Sequence, residues 1–120
     1  EEIKMFHRLF KEKIKEWEIT GDTPVVRLDG NEIMFPDLSF KHGKTVVHLE
    51  LFHRWHRGPL HKRLSYFNIN PLPGFIFGVD RAIADEAELK NYPNIADRIF
   101  LFRDFPGVER VYQLLKQQIS

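Results

Sequence analysis

Asp37 and Glu50 stand in the run Met34–Phe52, M-F-P-D-L-S-F-K-H-G-K-T-V-V-H-L-E-L-F, where many of the neighbours are apolar. Two carboxylates held close together repel each other, so the pair is costly unless one acid is protonated or both share a cation. A shared cation is a chemical tool. Magnesium takes hard oxygen ligands and keeps several waters; it lowers the pKa of a bound water and stabilises charge building on a phosphate oxygen. Two carboxylates plus a phosphate make a sufficient site, provided that the backbone aims both acids the same way. The plainer alternative is a pair of solvated strand acids, the ordinary state of a lone acid in a hairpin.

The pattern around the acids predicts a β-hairpin that supplies this aim. Side chains alternate along a strand, so Met34, Pro36, Leu38 and Phe40 share one face and Asp37, Ser39 and Lys41 the other. His42-Gly43 supplies the turn. On the return strand Val46, His48, Glu50 and Phe52 share a face, and Glu50 points with Asp37. Pro36 cannot donate to a ladder, which places it at an edge or a bulge. Upstream, Ile3, Phe6, Phe10, Ile14 and Trp17 at helical spacing predict an amphipathic helix over Glu1–Trp17, broken at Thr20-Gly21-Asp22. Val25–Leu28 reads as a short strand and Asp29-Gly30 as a turn. Ile33 then begins the strand that carries Asp37.

Downstream, Gly58-Pro59 opens a helix whose apolar stripe is Leu60, Leu64 and Phe67. Arg63 and His61 flank that stripe, and Lys62 lies nearly opposite it. Asn68–Gly74 ends the helix. Phe75–Val79 is a continuous apolar run, as expected of a strand buried on both faces. Ala82–Leu89 reads as a helix, Arg98–Phe102 as a strand and Val108–Gln118 as a last helix. Strands alternating with helices predict parallel pairing in this half.

A chain of 120 residues supports one domain with a single core, here residues 1–120. It begins at Glu1 rather than Met, as a piece of a longer chain would. Without cysteine it has no disulfide framework, thiolate zinc site or cysteine nucleophile, which fits a reducing cytoplasm. No long apolar span or export signal is present, so no membrane association is expected. A net charge of +1 argues against nucleic-acid binding by bulk charge alone. The distribution is less even. His53–Arg63 carries Arg54, Arg57, Lys62, Arg63 and three histidines without one acid. His53 and His56 have ligand-like spacing, but neither they nor His61 find a partner set for zinc. His48 reads as a hydrogen-bonded strand histidine. Trp55 among arginines is either a stacking residue or a loop anchor.

The element order, with Pro36-Asp37 on one strand and Glu50 on the next, resembles the PD-(D/E)XK nuclease superfamily. F-P-D-L-S-F, V-V-H-L-E-L-F, W-H-R-G-P-L-H-K-R-L and the apolar strand ending in G-V-D are similar to the nuclease domain of the DUF790 family. That resemblance implies a restriction-endonuclease-like α/β core: a mixed central sheet, antiparallel then parallel, flanked by helices. It also implies a Mg²⁺- or Mn²⁺-dependent DNA endonuclease acting in DNA repair or processing with an XPB-type helicase partner. In that reading Asp37 and Glu50 hold the metal, and Glu2, at the start of the first helix, is a third acid. Against this, Glu2 also reads as a solvent-facing residue favoured by the helix dipole. Phe52 stands where the superfamily carries its lysine. Lys62 and Arg63 are the substitutes, as in relatives whose lysine has moved to the following helix; the helical wheel favours Arg63. Lys44, Arg54 and Arg57, with Trp55, would grip DNA. The alternative is a catalytically inactive nuclease fold kept for DNA binding or protein docking, which Phe52 favours.

Overall fold

The computed structural model describes residues 2–23, 25–28, 33–54 and 60–119. Its centre is a five-stranded mixed sheet. The strands are β1 (Glu18–Thr20), β4 (Leu38–His42), β5 (Thr45–Phe52), β6 (Phe75–Asp80) and β7 (Ile99–Phe102), side by side in that order. β1, β4 and β5 pair antiparallel, whereas β5, β6 and β7 pair parallel. Apart from this sheet, β2 (Val26–Arg27) and β3 (Ile33–Met34) form a two-stranded ribbon. The helices are α1 (Glu2–Lys13), α2 (Leu60–Ile69), the short α3 (Glu86–Leu89) and α4 (Val108–Gln118).

Alternation along the strands sorts the core into two layers, one on each face of the sheet. On one face, Leu38, Phe40, Val47, Leu49, Leu51, Ile76, Phe100 and Phe102 meet α1 through Phe6 and Phe10, and α4 through Val111, Leu114 and Leu115. On the other, Phe52, Phe75, Phe77, Val79 and Ile99 meet Leu64 and Phe67 of α2, with Tyr92 and Ile95 beyond it. The ribbon closes this second layer with Met34. Each fully buried phenylalanine stabilises the fold by about 2–3 kcal/mol, and seven of them are almost wholly inaccessible.

All six residues of β6 are buried, as its continuous apolar run demands of a strand flanked by two others and covered on both faces. α4 spans Val108–Gln118, and the parallel pairing of β5, β6 and β7 is as the strand and helix alternation requires. Four expectations need correction, three of them in the bounds of elements. First, the opening helix ends at Lys13, not Trp17. Ile14 and Trp17 still reach the core, but from a segment that straightens into β1 and pairs with β4. Second, the strand expected from Ile33 onward is split at Phe35-Pro36, because a residue without an amide proton cannot carry a ladder through. The Pro36 carbonyl is instead taken by the Thr23 hydroxyl at 2.7 Å. Third, the helix expected over Ala82–Leu89 is only Glu86–Leu89, because the Asp85 side chain caps it by accepting from the Glu88 amide at 3.0 Å.

The hairpin turn is Gly43-Lys44, one residue later than His42-Gly43, with His42 paired to Thr45. Gly43 has φ +60° at the first central position, the conformation a two-residue hairpin turn asks of glycine there. The Asp29-Gly30 turn and the Gly58-Pro59 helix start lie outside the described residues.

Candidate functional site

The turn fixes the register, and the register brings the two acids together. The paired register runs as far as Leu38 opposite Leu49, and Asp37, just before it, lies beside the Leu49–Leu51 stretch of β5 that contains Glu50. Asp37 is not inside β4 but in the bend that leads into it, just after Pro36. Its amide donates to the Leu49 carbonyl at 2.9 Å, and its own Oδ2 accepts from the Leu51 amide at 2.7 Å. The bend thus holds Asp37 as firmly as a strand position would. Glu50 lies mid-sheet, with Phe77 of β6 as its register partner on the other side.

Glu50 is 8 % exposed. Burial pushes its carboxyl up from 4.5 to about 7; the nearby Arg63 opposes the shift and the negative charge of Asp37 adds to it. Arg63 projects from α2, its Nε 3.0 Å from Glu50 Oε1. Both atoms are buried, and among the described residues neither has another partner, so Arg63 is the counter-charge that offsets the burial of Glu50.

Such a donor pair fits a divalent cation in its chemistry: two hard carboxylates, one from the bend before β4 and one from β5, close enough for the charge of Asp37 to act on Glu50. A cation there would favour the ionised form of Glu50, against the push of burial and Asp37. Among the described residues no three His, Cys, Asp or Glu side chains group as metal ligands. Glu2 opens α1, but its side chain lies outside what the structure describes.

Phe52 shares the Glu50 face and is 2 % exposed, packed in the layer of Phe67, Phe77 and Leu64. The position two residues after Glu50 is therefore core. Of the two substitutes, Arg63 reaches Glu50 and Lys62 is exposed on the outer side of α2, as the helical wheel favours. The described cation at Glu50 is therefore an arginine.

The expected phosphate grips separate. Lys44 is exposed in the hairpin turn, at the end of β5 away from Glu50. Arg54 follows β5 at the near end. It is held by acids, with Nε 3.3 Å from Asp80 and one terminal nitrogen 3.2 Å from Asp104. Trp55 and Arg57 lie outside the described residues.

The histidines are structural where described. His48 Nδ1 lies 2.7 Å from the Ser39 hydroxyl, its ring is against Phe75, and burial lowers its pKa. His53 is buried edge-on to Phe102, and His61 Nδ1 lies 2.7 Å from the Tyr92 hydroxyl. His56 is not among the described residues. Sequence reasoning missed Asp80 as a partner of Arg54; the signal was an acid directly after the five apolar or glycine residues of β6. No helix among the described residues is long and apolar enough to cross a membrane. Compared with models of protein families the sequence matches none, and no curated protein gives a match.

Proposed function

We propose that this chain is a metal-dependent nuclease domain of the PD-(D/E)XK kind, akin to the DUF790 nuclease domain, hydrolysing phosphodiester bonds in DNA. A role in DNA repair or processing beside an XPB-type helicase follows from the same resemblance. The observation that carries the reading is the closeness of Asp37 to Glu50: the Leu51 amide anchors the Asp37 carboxylate, and its negative charge adds to the upward push on the buried Glu50 carboxyl. Bound Mg²⁺ or Mn²⁺ would supply water activation and charge stabilisation at the phosphate. The chain's own residues do the rest. Asp37, anchored by the Leu51 amide, presents its carboxylate from a fixed bend. Glu50, whose carboxyl burial pushes up to about 7, would hold the cation in its ionised form. Arg63 lies where a positive charge would offset charge on a phosphate; being arginine, it stabilises charge and does not carry protons.

A second reading, an inactive nuclease fold used for DNA binding or docking, is favoured by two observations: Phe52 fills the lysine position with core, and Arg63 already occupies one side of Glu50. Incubating the chain with forked and single-stranded DNA in Mg²⁺ or Mn²⁺ separates the two. Under the nuclease reading the parent cleaves, while Asp37→Asn and Glu50→Gln each fold and fall to background. The double variant is then no worse than either single one, because ligands of one ion act as a unit. A parent without cleavage on any DNA form leaves the inactive module.

A further inference from the structure

Arg54, Arg81 and Arg103 come from distant parts of the sequence, yet each lies just beyond the carboxyl end of a parallel strand, β5, β6 and β7 respectively. With Asp80, Ala82 and Asp104 they line a cleft of about 420 Å³. Its origin is topological. The chain leaving β6 turns toward the α2 layer, where Ala84 is buried, whereas the chain leaving β7 turns to the opposite layer, where Val108 starts α4. Loops that diverge to opposite faces open a crevice at the ends of their strands, and open α/β sheets bind ligands in such crevices.

The polar groups of the cleft are arranged in two ranks. Asp80, 3 % exposed, accepts from the Ala82 amide at 2.9 Å and from the Arg54 amide at 3.4 Å, and pairs with Arg54 Nε. Asp104 takes the other side of Arg54 at 3.2 Å, with φ +65°; it is the one non-glycine residue with positive φ among those described. Such a conformation costs free energy that the surroundings must offset, and it recurs at ligand sites. Arg54 is thus fixed between two acids. Arg81 and Arg103 are exposed, and among the described residues their guanidinium groups make no hydrogen bond or ion pair. Three arginines against two aspartates leave the cleft one net positive charge.

We propose that this crevice binds a phosphodiester of a nucleic-acid strand, with Arg81 and Arg103 making the contact and Arg54, clamped by Asp80 and Asp104, holding the wall. A phosphodiester carries the single negative charge that the cleft leaves unbalanced; a terminal phosphate carries nearly two at neutral pH. Arginine's planar fork suits phosphate oxygens. Asp80 stands three residues beyond Phe77, the partner of Glu50, on the neighbouring strand. That offset is about 10 Å along the strand and 5 Å across it, or roughly three nucleotides at 3.4 Å each. The crevice thus lies beyond the end of the sheet nearer to Glu50. The site deepens the nuclease reading, on which its choice of nucleic acid rests.

The test is DNA binding in metal-free buffer, followed by fluorescence anisotropy of labelled single strands and duplexes of unrelated sequence. Arg81→Ala with Arg103→Ala should raise Kd about ten-fold or more on every sequence, and shrink the salt slope by about two. Arg81→Lys with Arg103→Lys should recover most of the slope, and an unchanged thermal midpoint shows that the fold survives. Arg8→Ala with Lys11→Ala, on the exposed side of α1, should match the parent. If the double alanine variant binds like the parent while the parent still cleaves, the crevice is not the site and the nuclease reading stands. If the variant loses binding and the parent cleaves nothing, the crevice stands and the nuclease reading falls. If inorganic phosphate or a mononucleotide binds through Arg81 and Arg103 as tightly as DNA does, the crevice is a small-anion site and the proposal is overturned; a parent that binds no DNA overturns it as well.

Discussion

Glu50 is where the free energy of the candidate site is concentrated. The folded chain keeps its proton up to about pH 7, whereas an unfolded chain releases it near 4.5. Between those values the folded state binds more protons, so this residue makes stability fall as pH rises through the window, by up to about 3 kcal/mol. His48 works in the opposite sense, since burial lowers its pKa. The difference between parent and Glu50→Gln cancels that contribution. Urea unfolding across the window should show the parent losing stability toward neutral pH relative to Glu50→Gln, with the gap closing near pH 4.5. A constant gap would mean that Glu50 titrates normally. Arg63 sets the height of the slope. Removing it as Arg63→Met should steepen the loss above neutrality by about 2–3 kcal/mol, since a buried carboxylate would then lack its counter-charge. The same reasoning disfavours a lysine at position 52. Phe52 packs among Phe67, Phe77 and Val79, so Phe52→Lys would bury an ammonium group in an aromatic layer.

At the scale of elements, the register of β4 on β5 and the packing of β6 place everything that matters. Gly78 shows how tight that packing is: a Cβ there would lie 2.7 Å from Leu51 Cδ2 and 2.7 Å from Phe100 Cζ. Gly78→Ala should therefore lower stability by about 1–3 kcal/mol, seen as a lower urea midpoint at unchanged m-value. If the midpoint does not move, Leu51 and Phe100 have room that the packing denies. These elements were legible in the sequence to different degrees, for physical reasons. β6 and α4 follow from patterns that only one environment satisfies: an unbroken apolar run and a 3.6-residue stripe. The nearness of Asp37 to Glu50 was legible because a two-residue hairpin turn displaced by one residue still brings the stretch before β4 beside the end of β5. The end of α1 was not, because Ile14 and Trp17 keep helical spacing while reaching the core from the turn between α1 and β1. β1 was hidden for the same reason. Nor could the sequence show Arg54 between Asp80 and Asp104, since that contact exists only where three parallel strands end side by side.

The molecule as a whole is polar along its strands. Asp37, Glu50, Arg54, Asp80, Arg81 and Arg103 gather toward one end of the sheet, and Lys44 sits at the other, six residues before Glu50 and so about 20 Å away along an extended strand. These acids and arginines nearly balance as a set, so the positive surplus at this end is confined to the crevice of Arg54, Arg81 and Arg103. The candidate metal site lies within the same end but in the body of the sheet, on the central strand β5 and the β4 lead-in paired to it. An ion held there bridges elements that separate only when the whole domain unfolds, so its binding free energy should add to global stability. At ten times the dissociation constant that addition is about 1.4 kcal/mol, or roughly 5 °C in thermal midpoint for a domain of this size. The proton on Glu50 competes with the ion, which makes the effect depend on pH in a stated direction. Above pH 7, Mg²⁺ or Mn²⁺ should raise the midpoint of the parent; near pH 5, where Glu50 is protonated, the same concentration should raise it little. Asp37→Asn should abolish the rise at both. Scanning calorimetry of parent and variant at the two pH values reads this without any assay of cleavage. A midpoint that rises equally at both values would place the ion somewhere other than on Glu50.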